Sequence, residues 1–173
     1  MTVRDNLLLG DPRLYEVSRL VDRGELERLR PVVEDLHDTM MTFRKKYGVG
    51  RAIAAPQIGV MMRLVYMHID KPMVFINPSL SDKSPEMMEI WDDCMSFPDL
   101  LVRVYRHRRC RIEFKGMKWE SKSLDLKDDM SELLQHECDH LDGVLAVSRA
   151  IDGKSFALAS QRHLLQRRLV SGQ

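Results

Sequence analysis

Between Gly24 and about Lys46, apolar side chains recur every three or four positions, at Leu26, Leu29, Val32, Val33, Leu36, Met40 and Phe43, with Glu, Arg and Asp filling the gaps. That period matches the α-helical turn and predicts a long helix with one apolar stripe. The pattern then changes. Arg63 to Ile69 and Met73 to Ile76 are short apolar runs parted by Asp70, Lys71 and Pro72, which predicts paired strands. Leu101 to Tyr105 and Cys110 to Phe114 add further strands, and in the second of these Cys110, Ile112 and Phe114 alternate with charged neighbours. Cys110 is therefore expected to be buried. Helical spacing returns after Asp128, at Met130, Leu133, Leu134 and Leu141, with Gly143 placed to end the helix. A last periodic stretch, about 154–169, has Leu158, Leu165 and Leu169 near one side and predicts a terminal helix.

With 173 residues, 44% hydrophobic and 31% charged, the chain can bury one sizeable core, so a single domain over 1–173 is expected. Lys and Arg number 27 against 26 Asp and Glu, a formal net charge of +1. Nothing global attracts the chain to nucleic acid or to a charged membrane surface. Arg103, Arg106, Arg108, Arg109 and Arg111 form a local basic run, but strand alternation is expected to put most of them on a solvated face, and no aromatic ladder accompanies them. No sequence-specific nucleic-acid partner follows. No stretch reaches the length of a membrane span, so no membrane partner follows either. Three cysteines cannot all pair within the chain, which fits a reducing compartment and a cytoplasmic location.

The chemistry is concentrated in His136, Glu137 and His140, a His-Glu-x-x-His pattern. On a helix it sets two imidazoles one turn apart on one face, with a carboxylate beside them to handle the proton of a metal-activated water. A catalytic zinc or iron site needs a third protein ligand and one open position, and Cys94 is the candidate. Cys138 lies between the two His residues in sequence, and helical geometry points it away from their face. His68, alone in its strand, is expected to be structural. Upstream, Gly48 to Gly59 is rich in small residues that allow close backbone approach, with one amide side chain, Gln57, able to donate to a developing oxyanion.

Taken in order, these segments resemble the motifs of the peptide deformylase family. The family's Gly-x-Gly-x-Ala-Ala-x-Gln corresponds to Gly50-Arg51-Ala52-Ile53-Ala54-Ala55-Pro56-Gln57, its Glu-Gly-Cys-Leu-Ser to Asp92-Asp93-Cys94-Met95-Ser96, and its Gln-His-Glu-x-Asp-His-Leu-x-Gly to Gln135 through Gly143. Only the third is intact. The resemblance implies an α+β fold with antiparallel sheets packed around a central metal-binding helix, a long N-terminal helix and a C-terminal helix. It implies one divalent metal on Cys94, His136 and His140, Fe²⁺ in the cell, with Zn²⁺, Ni²⁺ or Co²⁺ also compatible. It assigns catalysis to Glu137, to the Gln57 amide and to the Met95 backbone N–H, and substrate binding to Gly50, Arg51, Ala52, Glu132 and Leu133. The implied substrate is a formylated nascent peptide beginning with methionine. In some bacterial members a basic terminal helix docks on the ribosome, so the same contact is a possible role for the stretch near 154–169 here.

The departures fall beside the chemistry. Ala52 adds a methyl where the family has its second Gly, Asp92 shortens the family's Glu, and Asp93 stands where Gly precedes the Cys, a position at which positive φ would favour Gly. Arg51 replaces a commonly apolar residue and faces the same question as Glu132, one turn ahead of His136: whether the two charges pair across the pocket. Two alternatives follow from these changes. One is the same hydrolysis on a different small N-formyl or N-acyl substrate. The other is a metal-binding regulatory protein with impaired catalysis.

Overall fold

The computed structural model describes residues 3–165. Helix α1 spans Leu26–Tyr47 and buries Leu29, Leu36, Met40 and Phe43, the stripe expected from the spacing. Basic residues fill its last turn, where they face the negative end of the helix dipole, and Gly48 closes it in the left-handed conformation. Among the described residues eight strands follow: β1 (Ala52–Ala54), β2 (Leu64–His68), β3 (Pro72–Ser81), β4 (Met87–Asp93), β5 (Leu100–His107), β6 (Arg109–Lys115), β7 (Ser121–Lys127) and, after helix α2 (Asp129–Leu141), β8 (Phe156–Leu158). They form two antiparallel sheets, one ordered β1-β2-β3-β6-β7 and the other β4-β5-β8.

Both faces of the larger sheet are covered at the β1–β2 end, which is why that end reads as continuous apolar sequence rather than alternation. Ala52, Ala54, Val65 and Met67 point toward α2, while Ile53, Leu64 and Tyr66 point toward α1. Helix α2 packs against β1, β3 and β7 of this sheet and against β5 of the smaller one, so its buried face looks into the space between the two. Cys110 and Cys138 both lie in the core between α2 and the larger sheet. Burial pushes the Cys138 thiol up to about 12, as befits a packing residue.

Asp142 follows α2, and Gly143 then adopts φ +68 against the backbone of Tyr15. A Cβ at Gly143 would stand near the Tyr15 carbonyl, well inside contact distance. Gly143→Ala is therefore expected to cost about 3 kcal/mol, from left-handed strain plus overpacking. Chemical denaturation checks this, and a loss below about 1 kcal/mol would show that the turn relaxes.

One expectation is corrected. The terminal stretch is not helical from 154: Phe156–Leu158 add a strand to β5, and among the described residues helix begins at Ala159, as a short 3₁₀ turn over Ala159–Leu164. Residues 166–169 of the expected helix lie outside the described residues. A backbone hydrogen bond from Arg103 to the Ser155 carbonyl lies beside the β8 pairing, so this segment completes a sheet instead of packing as an apolar stripe. Arg106 is the exception within the basic run. It is 3% exposed, on the inward face of β5 with Val102 and Val104, not solvated. Other arginines of the run are spent on carboxylates: Arg103 on Asp152, Arg108 on Glu86 and Asp128, Arg111 on Asp125.

Candidate active site

The α2 helix turns His136 and His140 inward because Leu134, Cys138 and Leu141 anchor its neighbouring face in the core. Cys94 reaches the same point from the turn after β4. The His136 and His140 Nε2 atoms are 3.1 Å apart, Cys94 Sγ is 3.3 Å from His140 Nε2, and all three donor atoms lie within 4.8 Å of one another. All three residues are buried.

Asp92 orients the first imidazole, its carboxylate accepting at 3.0 Å from His136 Nδ1. A proton on Nδ1 leaves the Nε2 lone pair directed at Cys94 and His140, the tautomer a ligand needs. Although one methylene shorter than the family's Glu, Asp92 also accepts from Arg106 Nη2 at 2.8 Å. Arg106 Nη1 in turn donates to Asp139, which Arg149 holds from outside. Burial opposes a charge on Asp92, yet the His136 ring and the Arg106 guanidinium hold its carboxyl down at about 2. Burial likewise opposes a proton on His136, but Asp92 and Cys94 carry it well above the usual range, whereas burial and the neighbouring His136 push His140 well below. One sulfur and two imidazole nitrogens gathered this closely make a donor set that a single divalent cation fits.

Glu137 is 3% exposed, and its Oε2 has no hydrogen-bond partner among the described residues. Burial raises its carboxyl to about 7. A carboxyl on the cavity wall with one oxygen unpartnered, next to His136, is suited to exchange a proton with a bound molecule.

Gln57 is locked from behind. Its Oε1 accepts from the Ala54 N–H at 2.9 Å, which turns Nε2 toward Ser96 Oγ at 3.2 Å and Cys94 Sγ at 3.5 Å. The N-terminal segment ties this turn to the Cys94 turn, Leu7 N–H donating to the Gln57 carbonyl and Leu9 N–H to the Ser96 carbonyl. Met95 is buried, its side chain in the α1 core.

These groups open into a cavity of about 510 Å³. Gly50, Arg51, Ala52, Glu132 and Leu133 line it with Gln57, Asp92, Cys94, Met95, His136 and Glu137. Gly50 sits at φ +123 with Phe43 close by, a conformation that a side chain rarely adopts. Arg51 and Glu132 do pair, at 2.5 Å. Asp93 is not in a glycine-type conformation: it ends β4 as ordinary strand, and its carboxylate accepts from Arg162 at 2.7 Å. The segment after β8 therefore forms part of the cavity wall, with Ala159 and Arg162. His68 stays structural, near the Tyr66 hydroxyl, which bonds His37.

Sequence reasoning missed Arg106. The signal was available, since period two from Val102 and Val104 puts position 106 on the inward face.

A family model described as polypeptide deformylase matches residues 4–155. A peptide deformylase of Pseudothermotoga lettingae is 35% identical over 151 residues, covering 87% of this chain and 85% of that protein. Among solved structures, the peptide deformylase of Thermotoga maritima superposes with TM-score 0.81 at 28% identity, covering 88% of this chain and all of that one (100%). A Met-Ala-Ser-bound class I type b peptide deformylase of Acinetobacter baumannii gives TM-score 0.79 at 25% identity, over 86% of this chain and 98% of that one.

Proposed function

The chain belongs to the polypeptide deformylase family, and we propose that it hydrolyses the N-formyl group from the N-terminal methionine of newly made polypeptides, releasing formate. One observation carries the reading: three soft and borderline donors converge on a point in the same cavity as an unpartnered carboxylate oxygen and a locked amide donor. A purely structural metal site needs neither of the last two.

Cys94, His136 and His140 would hold the ion, Fe²⁺ in the cell, and Asp92 would fix the His136 ring in the ligating tautomer. When bound, a divalent ion supplies Lewis-acid polarisation of a carbonyl and lowers the pKa of water. Glu137 takes the proton of the attacking water at Oε2 and returns it to the amine nitrogen as the carbonyl carbon–nitrogen bond breaks. Gln57 Nε2 and the Met95 backbone N–H donate to the carbonyl oxygen as charge builds on it, contributions of roughly 3 kcal/mol each in comparable sites.

The topology also suits an extended peptide. β1 is the outer strand of the larger sheet and β4 of the smaller one, and residues of both line the cavity. Free strand edges accept an added strand through main-chain hydrogen bonds. The Met-Ala-Ser complex of the Acinetobacter baumannii relative supports a peptide substrate here. Among the described residues no helix is long and apolar enough to cross a membrane, and three buried free cysteines support a cytoplasmic site of action.

Protein with its metal content measured is expected to release formate from formyl-Met-Ala-Ser, to lose that activity on chelation, and to regain it with Fe²⁺, Co²⁺, Ni²⁺ or Zn²⁺. A protein that binds its ion yet yields no formate would favour the regulatory alternative.

A further inference from the structure

Helix α2 carries Glu132 one turn before His136, so the two side chains share a helix face about 6 Å apart along the axis. Leu133 stands in the same relation to Glu137. Whatever is attached next to the nitrogen that leaves the formyl carbon must lie within a few bonds of the reacting centre, against this first turn of the cavity wall.

The wall there is charged. Arg51 Nη2 donates to Glu132 Oε1 at 2.5 Å, and among the described residues neither side chain makes another hydrogen bond. A guanidinium has five N–H donors and a carboxylate two acceptor oxygens. The pair therefore presents unspent donors and an acceptor to the cavity, with the Glu132 side chain 15% exposed and Arg51 41%.

We infer that the Arg51–Glu132 pair sets the first residue this enzyme accepts, extending its substrates from formyl-methionine to formylated chains whose first side chain is neutral and hydrogen-bonding, such as a carboxamide. The inference rests on the deformylase reading. A thioether laid over the pair excludes water from charged groups and returns no strong hydrogen bond, since sulfur is a weak acceptor. An acidic side chain must compete with Glu132 for Arg51, and a basic one with Arg51 for Glu132. Either leaves a half-buried charge without its partner. A carboxamide offers its oxygen to Arg51 and its NH₂ to Glu132 while the pair stays intact. Gln and Met have side chains of similar length, so comparing them isolates polarity from size.

Holoenzyme is assayed on formyl-Met-Ala-Ser and formyl-Gln-Ala-Ser, with kcat and KM separated. The parent is expected to process the Gln peptide with kcat/KM at least equal to that for Met. The double variant Arg51→Leu/Glu132→Leu, which removes both charges together and strands neither, is expected to shift the ratio toward Met by about tenfold or more, chiefly through KM. A parent that favours Met by tenfold or more overturns the inference, and this comparison stands even if the variant fails to fold. An unchanged ratio in a folded, metal-loaded double variant also overturns it. Absence of formate from both peptides sinks the deformylase reading itself, and this inference with it.

Discussion

Replacing Glu137 with Gln is expected to lower kcat for formate release by roughly 10³-fold, inside the 10²–10⁴ range typical of a lost general acid–base group. The substitution keeps the side-chain shape and leaves Cys94, His136 and His140 untouched, so metal content and Tm are expected to hold. KM is expected to move little, because the carboxyl handles a proton and does not grip the peptide. The assignment depends on an environment and not on a motif alone. Glu137 is buried, one of its oxygens is unpartnered among the described residues, and burial raises the carboxyl to about 7. A kcat within tenfold of the parent, with the ion still bound, would remove Glu137 from the chemistry.

Arg106→Leu carries the largest expected loss of stability. Among the described residues its guanidinium is the one cation that pairs with Asp92 besides the His136 ring, whereas Asp139 keeps Arg149. Removing one member of a buried charge network strands the others, at a cost of about 3–5 kcal/mol. Asp92 also holds His136 Nδ1, so metal affinity is expected to fall by roughly 10–100-fold. Adding Asp92→Asn to the variant removes the stranded charge and is expected to recover part of the stability but not the metal affinity, because Asn can present its amide oxygen to His136 without the carboxylate's charge. A double-mutant cycle by denaturation, with metal titration of each protein, reads both effects. A loss below about 1 kcal/mol with unchanged affinity would show that Arg106 is only packed there.

Local periodicity carried much of the fold. The stripe of α1, the β2–β3 pair and the helix that brings His136 and His140 together are all visible as spacing, because each is long enough for its period to repeat. Cys94 was legible through its motif, and its meeting with the two rings follows from α2 lying between the sheets. Arg106 was harder: a charged residue in a strand is expected at the surface, and the two carboxylates that make its burial tolerable are distant in sequence, one on β4 and one on α2. The segment after Ile151 failed for another reason. Three residues of strand and six of 3₁₀ turn are too short for a period to declare itself, and the Leu158 counted toward a helical stripe is 60% exposed on β8. The family's Gly raised the question of positive φ at Asp93, and only the pairing of β4 with β5 answers it: Asp93 sits in ordinary strand opposite Leu101.

X-ray absorption at the metal edge of the zinc-loaded protein tests the central claim most directly. One sulfur at about 2.3 Å and two nitrogens at about 2.0–2.1 Å, with a remaining light-atom position that exchanges with added anions, is the predicted coordination. A shell with no sulfur, or one closed by four protein donors, would contradict it.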